Sequence, residues 1–324
     1  MNPEVVAIEM HGLGRSFGKV RAVDALDLAI ARGEIFGLVG PDGAGKTTTL
    51  RLLAAILDPT RGRAAVAGFD TVRQSEAIKR RIGYMAQQFS LYGDLSVSEN
   101  LDFFADIYGV RGRERVQRVN RLLDFAHLQE FRPRRAIHLS GGMQKKLALA
   151  CTLVHQPEII LLDEPTTGVD PVSRREFWDI LTDLHIAGTT IVVSTPYMDE
   201  AERCSRIGLL YRGRLLICDS PDKVRAMVPG DLLELRPADV PMAARCRQVL
   251  EELEGVLEIQ TYGDLLHVFV DSFERRHAAV ADRLEQAQAA YSGLRQAQPR
   301  MEEAFISLIQ RQEAERRRSA EADR

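Results

Sequence analysis

The sequence predicts an α/β domain with a mostly parallel sheet and a helical insertion, followed by a small C-terminal α+β domain. Three observations carry this. Up to about residue 220, short β-branched runs alternate with longer helical patterns, the rhythm of strands joined by crossover helices. Between about Phe89 and Leu139 that rhythm gives way to helical, arginine-rich sequence. After the turn-rich stretch Cys218–Asp222, about 100 of the 324 residues remain, enough for a second unit. The expected boundaries are 1–220 and 221–324, with the insertion at about 89–139.

The elements follow in order. Val5–Glu9 and Ala25–Ile30 read as strands, and Ile35–Val39 is an apolar run suited to a strand buried on both faces. Thr47–Leu57 is a helix after a glycine-rich loop, and Ala64–Val66 a short strand. In the insertion, Ser98–Tyr108 and Glu114–Phe125 carry apolar residues at helical spacing. Gly142–Leu153 is a helix, and Ile159–Leu162 a second buried strand. Pro171–Ile186 opens with proline, which suits the first position of a helix. Strand Thr190–Ser194, helix Met198–Arg203 and strand Ile207–Tyr211 complete the first unit.

Ser220 then Pro221 marks another helix start. Leu232–Leu235 reads as a strand and Met242–Leu253 as a helix. Val256–Gln260 and Leu265–Val270 flank Tyr262-Gly263-Asp264 as a hairpin. A helix over Glu274–Tyr291, a short strand and a last helix from about Arg300 follow, with a charge-dense tail that continues the helix and then frays.

Apolar residues make up 45% and charged residues 27% of the chain, an ordinary globular balance. The formal net charge of −3 offers no global field for nucleic acid or an anionic membrane, so no nucleic-acid partner is expected. No apolar stretch approaches the roughly 18–20 residues a bilayer span needs, and the N-terminus lacks the pattern of a secretion signal. The scattered Cys151, Cys204, Cys218 and Cys246 suit reduced thiols in a cytosolic protein.

Gly40-Pro41-Asp42-Gly43-Ala44-Gly45-Lys46-Thr47 fits a phosphate-binding loop between an apolar strand and a helix. Its glycines let backbone N–H groups wrap anionic oxygens, and the helix N-terminus adds positive partial charge. Lys46 is placed to reach the β and γ phosphates of a nucleotide, Thr47 to ligate Mg²⁺, and Thr48 to bond a phosphate oxygen. The apolar strand before Asp163-Glu164 is the expected partner of this loop. Asp163 would join the Mg²⁺ shell through water, and Glu164 would polarise or deprotonate the attacking water.

Leu139-Ser140-Gly141-Gly142-Met143-Gln144 lies about twenty residues before that strand. Together with the two nucleotide motifs it makes residues 4–220 resemble the nucleotide-binding subunits of ABC transporters, a P-loop NTPase cassette. The resemblance implies further roles. Phe17 matches the aromatic that stacks on adenine. Gln87 matches the switch glutamine that touches Mg²⁺ and the water, with Gln88 as the fallback. Asp170 matches the loop that crosses a dimer interface. Ser140, Gly141 and Gly142 match the signature turn, which meets the γ-phosphate bound by a second subunit, so that two ATP molecules are sandwiched between two cassettes.

The sequence departs from that family at Pro196, within Ser194-Thr195-Pro196-Tyr197, where the family places a histidine. Proline has neither an imidazole donor nor a backbone N–H. Three readings follow: slower hydrolysis carried by Glu164 and Mg²⁺, pairing with a different cassette whose site is complete, or an ATP-bound switch with little turnover. Slow hydrolysis is the expectation. Asp42 stands where many relatives carry asparagine, and it is expected to face the interface or a loop N–H rather than the ligand.

The insertion is expected to dock on an integral membrane permease subunit, with Phe89 and Tyr92 its best exposed aromatics and Leu91, Leu95, Phe103, Phe104 and Tyr108 mostly its own core. Arg111, Arg113, Arg115, Arg118 and Arg121 read as a solvated helix face, with lipid headgroups or a partner's acidic loop as the alternative. The C-terminal unit, with Pro299 and Met301–Phe305, is similar to the tail domain of bacterial multidrug and antibiotic efflux ATPases, and a role in dimer stabilisation or regulation is expected of it. The resulting expectation is an ATP-hydrolysing exporter subunit, homodimeric or heterodimeric, peripheral on the cytoplasmic face of the membrane. The alternatives are a soluble ABC ATPase of translation or DNA repair and a regulatory ATP-binding subunit.

Overall fold

The computed structural model describes residues 6–88 and 91–322. The chain divides into two compact units, Met1–Ser220 and Pro221–Arg324. Among the described residues the strands form three sheets, two in the first unit and one in the second.

The first unit begins with two long strands, β1 (Val6–Phe17) and β2 (Val20–Ala31). The two residues between them close a tight hairpin, which forces antiparallel pairing. With β4 (Arg61–Val66) and β5 (Phe69–Asp70) they form a separate antiparallel sheet in the order β2-β1-β4-β5. The early strands therefore stand apart from the mostly parallel sheet.

That sheet is built from β3 (Ile35–Val39), β6 (Ile82–Met85), β7 (Ile159–Asp163), β8 (Thr190–Thr195), β9 (Arg206–Tyr211) and β10 (Arg214–Asp219) in the order β10-β9-β3-β8-β7-β6. The β3, β6, β7, β8 and β9 pairings are parallel. Only β10 runs antiparallel, because Arg212 and Gly213 both have positive φ and close a tight hairpin. Neither β6 nor β10 is marked as a strand by sequence pattern. Every residue of β7 is buried. Its four aliphatic side chains contribute about 1.5–3 kcal/mol each, which anchors the two carboxylates that end the strand.

The helices are α1 (Lys46–Leu53), α2 (Ser75–Lys79), α3 (Val97–Ile107), α4 (Gly112–Phe125), α5 (Gly141–Leu153), α6 (Pro171–Ile186) and α7 (Met198–Ala201). Ser96 and Glu99 form a capping box that starts α3. The core of the insertion joins Val97, Leu101, Val119 and Leu123 to Leu147 and Cys151, so it extends beyond residue 139 into α5. Leu91 and Phe104 pack on that core. Tyr92 is half exposed and meets Phe103 edge-on at 4.4 Å. Phe89 lies outside the described residues. Arg115 pairs with Asp102 and Asp106, and Arg118 with Glu114, which fits an ion-paired outer face.

The second unit contains α8 (Pro221–Arg225), β11 (Asp231–Pro237), α9 (Val240–Glu251), β12 (Val256–Tyr262), β13 (Leu265–Val270), α10 (Phe273–Gln286), β14 (Tyr291–Ala297) and α11 (Met301–Ala322). Its antiparallel sheet has the order β12-β13-β11-β14, and β11 to β14 with α9 and α10 form a β-α-β-β-α-β unit. Leu233, Leu235, Val268 and Val270 share a core with Leu250 of α9 and Val280 and Leu284 of α10. The helix expected over Glu274–Tyr291 stops at Gln286, because Gln288 takes a left-handed conformation, φ 51°, and turns the chain into β14. The cysteines are free thiols, and burial raises those of Cys151 and Cys204. No described helix is long and apolar enough to cross a membrane.

Candidate functional site

The site lies where β3, β6, β7 and β8 end, at the carboxyl edge of the parallel sheet, the usual place for a ligand in such folds. The loop Gly40–Gly45 leaves β3 and enters α1. Gly45 has φ 106°, and a Cβ there would stand 2.4 Å from the Ala22 carbonyl oxygen, so only glycine fits. Lys46 begins α1 and is buried, and its ammonium donates to the carbonyls of Gly40 at 2.8 Å and Pro41 at 3.1 Å. The same Nζ lies 3.1 Å from Glu164 Oε1. Asp42 and Gly43 are exposed, Ala44 is buried, and Thr47 and Thr48 are partly exposed.

Asp163 closes β7. Its Oδ1 accepts from Thr47 Oγ1 at 3.0 Å and from Ser194 Oγ at 2.7 Å. Burial pushes its carboxyl above the ordinary aspartate range, opposed by those two hydrogen bonds. Its Oδ2 is buried without a hydrogen-bond partner among the described residues. Glu164 follows in a left-handed conformation, φ 46°, unusual for a residue with a side chain. Its N–H donates to the Ser194 carbonyl at 3.1 Å and Ser194 Oγ at 3.0 Å, which holds the turn. Gln87 Nε2 donates to Glu164 Oε2 at 2.9 Å, and Thr167 Oγ1 approaches the same oxygen at 3.4 Å.

Ser140 is exposed and caps α5, accepting from the Met143 N–H at 3.3 Å. The turn packs on the N-terminal end of α6. A Cβ on Gly142 would lie 2.5 Å from both Cβ and Oγ of Ser173. Gly142→Ala is therefore expected to destabilise the first unit by about 1–3 kcal/mol in urea unfolding. Adding Ser173→Gly should recover most of the loss, and no recovery would show that the contact is not the cause. Asp170 caps α6 by accepting from the N–H groups of Val172 and Ser173, which lowers its carboxyl below the usual range. Phe17 ends β1 with 48% of its surface exposed and the Arg15 guanidinium 4.8 Å above its ring.

Lys46, Thr47, Gln87, Asp163 and Glu164 thus form one connected cluster, while Phe17, Asp170 and the Ser140 turn lie outside that hydrogen-bonded network. The ABC transporter family pattern matches residues 23–167. The probable multidrug ABC transporter ATP-binding protein YbhF of Escherichia coli (strain K12) is 45% identical over 229 residues, 71% of this chain and 40% of that protein. The chain therefore spans less than half the length of that relative. The daunorubicin resistance ATP-binding protein DrrA3 of Streptomyces coeruleorubidus is 33% identical over 314 residues, 93% of this chain and 95% of the relative.

The chain belongs to the ABC transporter ATP-binding proteins.

That family is one of ATPases, and a solved member shares the fold. The ATP-binding cassette MJ0796, a dimer in a post-hydrolysis state with ADP and Pi, matches with a TM-score of 0.60 at 28% identity over 66% of this chain and 98% of its own. In the present cassette, Ser194 is the site residue that sequence reasoning passed over. It sits opposite Asp163 in the parallel register. A serine-threonine pair ending an apolar strand was the available signal. Thr195 and Glu200 belong to a second buried network, in which Glu200 accepts from Thr195 Oγ1 at 2.6 Å and from Thr166 Oγ1, and Pro196 is half-buried.

Proposed function

We propose that this chain is the ATP-hydrolysing subunit of an exporter, closing on a second cassette around two MgATP molecules and driving a separate membrane subunit. The observation that carries it is the cluster of Lys46, Thr47, Gln87, Asp163 and Glu164 at the ends of adjacent parallel strands. Lys46, with the N–H groups of the Gly40–Gly45 loop, grips the phosphates. Glu164 takes a proton from the attacking water, which Gln87 orients. Phe17 offers an exposed ring for the base, and Arg15 sits on one face of that ring.

The donor set fits Mg²⁺. Thr47 Oγ1 and Asp163 Oδ1 already touch, and the unpartnered Asp163 Oδ2 is a hard, anionic oxygen that burial leaves costly unless a cation or water meets it. When bound there, Mg²⁺ would neutralise phosphate charge.

The capped N-terminus of α5 supports a composite site, since Ser140 and Gly141 are exposed there and can offer donors to a phosphate held by another copy, with Gly142 buried behind them against Ser173. Asp170 stands at the head of α6 on the same exposed rim. Export as the direction, and a peripheral place at the inner membrane face, rest on the named roles of the multidrug and daunorubicin relatives. The second unit is proposed as an accessory element that regulates or steadies the dimer.

Light scattering should show monomers joining as dimers with MgATP and not with MgADP, and affinity purification should recover an integral membrane subunit. Recovery of ribosomes or DNA instead would favour the soluble alternative. Hydrolysis is expected to be slow, because Pro196 offers no donor to the terminal phosphate. Pro196→His should raise kcat about tenfold. An unchanged kcat would remove position 196 from the account of turnover.

A further inference from the structure

Gln87 is held at both ends. Its side chain donates to Glu164, and its main-chain carbonyl accepts from Lys145 Nζ at 3.0 Å. Lys145 lies in the first turns of α5, five residues after the cap Ser140. The lysine is partly buried, and burial pushes its ammonium below the ordinary lysine range while the charges of Asp163 and Glu164 draw it back up. Lys145 also lines a groove of about 250 Å³ with Gly141, Gln144 and Thr167.

The other end of α5 is anchored. Leu147, Ala150 and Cys151 are buried in the core of the insertion. A pull on Lys145 therefore acts on the first turns of a stiff helix that pack on α6 through Gly142 and Ser173 and through the Lys146–Glu176 ion pair. The same end carries the Ser140–Gly142 turn, so the tether acts on that turn together with its contact to α6.

We propose that Lys145 is a positioning residue that ties the Gln87 segment to α5, so that nucleotide at a cassette's own site adjusts the turn it presents to its partner's nucleotide. The proposal rests on the reading of Gln87 and of the composite site given above. Such a tether couples the two sites through one element with two positions, the physical requirement for cooperativity between them.

The test uses the full chain and ATP itself. In wild type, ATP hydrolysis should show a Hill coefficient above one. Lys145→Met should lower kcat about tenfold and bring the Hill coefficient to one, while the Kd for ATP on the monomer changes less than twofold. Lys145→Arg, which keeps a charged donor, should recover most of both. Wild-type kcat and Hill coefficient in Lys145→Met would overturn the proposal. Hydrogen exchange on wild type, below the concentration at which it dimerises, tests the same tether without a variant. ATP should change protection at Gln87 and at residues 141–146 together, and a change confined to Gln87 would equally overturn it. Glu164→Gln separates the two levels. If that variant keeps full turnover, the site reading itself fails. If it loses turnover while Lys145→Met is unaffected, only the tether fails.

Discussion

Glu164→Gln is expected to lower ATP turnover by about 10²–10⁴-fold, the range for loss of a general base, and at the same time to bind ATP more tightly. The second effect follows from the ion pair. Lys46 Nζ lies 3.1 Å from Glu164 Oε1, and both side chains are buried. Phosphate oxygens must draw the lysine away from that carboxylate. Glutamine keeps the shape and a carbonyl acceptor but not the charge, so it competes for Lys46 less well. A severalfold fall in Kd is expected, read by equilibrium titration with a fluorescent ATP analogue. Unchanged turnover would remove Glu164 from the role of base. Unchanged affinity with lost turnover would leave the base in place and show that the ion pair does not oppose binding.

The parts of this site legible in the sequence are those whose constraints are local. Eight consecutive residues from Gly40 to Thr47 specify a loop, and the apolar run before Asp163 specifies a buried strand. Ser140 is a helix cap by type and position. Ser194 and Lys145 were not legible, because their roles come from register and helix placement. Ser194 matters only because β8 sets it beside Asp163, and Lys145 only because α5 passes the Gln87 carbonyl. The fold divides the same way. The alternation of strands and helices announces the parallel sheet, whereas the separation of β1, β2, β4 and β5 into their own sheet is decided by long-range pairing. The end of α10 was hidden for a different reason. A left-handed turn usually announces itself with glycine, and here Gln288 makes it.

Lys46→Met is the second large effect. It removes three contacts at once, to Gly40, Pro41 and Glu164. Loss of a charged donor to phosphate should weaken ATP binding by about 10–150-fold. The consequence for stability is less obvious. Glu164 is left buried without its cation, although Gln87 and Thr167 remain beside Oε2. Breaking a buried pair from one side is costly, and about 3 kcal/mol is expected in urea unfolding without added nucleotide. If that cost comes from the stranded charge, then neutralising it must return it. Lys46→Met with Glu164→Gln should therefore be more stable than Lys46→Met alone, by about 2 kcal/mol of coupling. The double variant should still bind ATP weakly, because the phosphate-gripping ammonium is gone in both. Strict additivity of the two substitutions would mean that Lys46 steadies the loop through the Gly40 and Pro41 carbonyls, with the carboxylate a bystander. In that case the tighter ATP binding expected of Glu164→Gln should vanish as well, so the two experiments check the same ion pair from opposite ends.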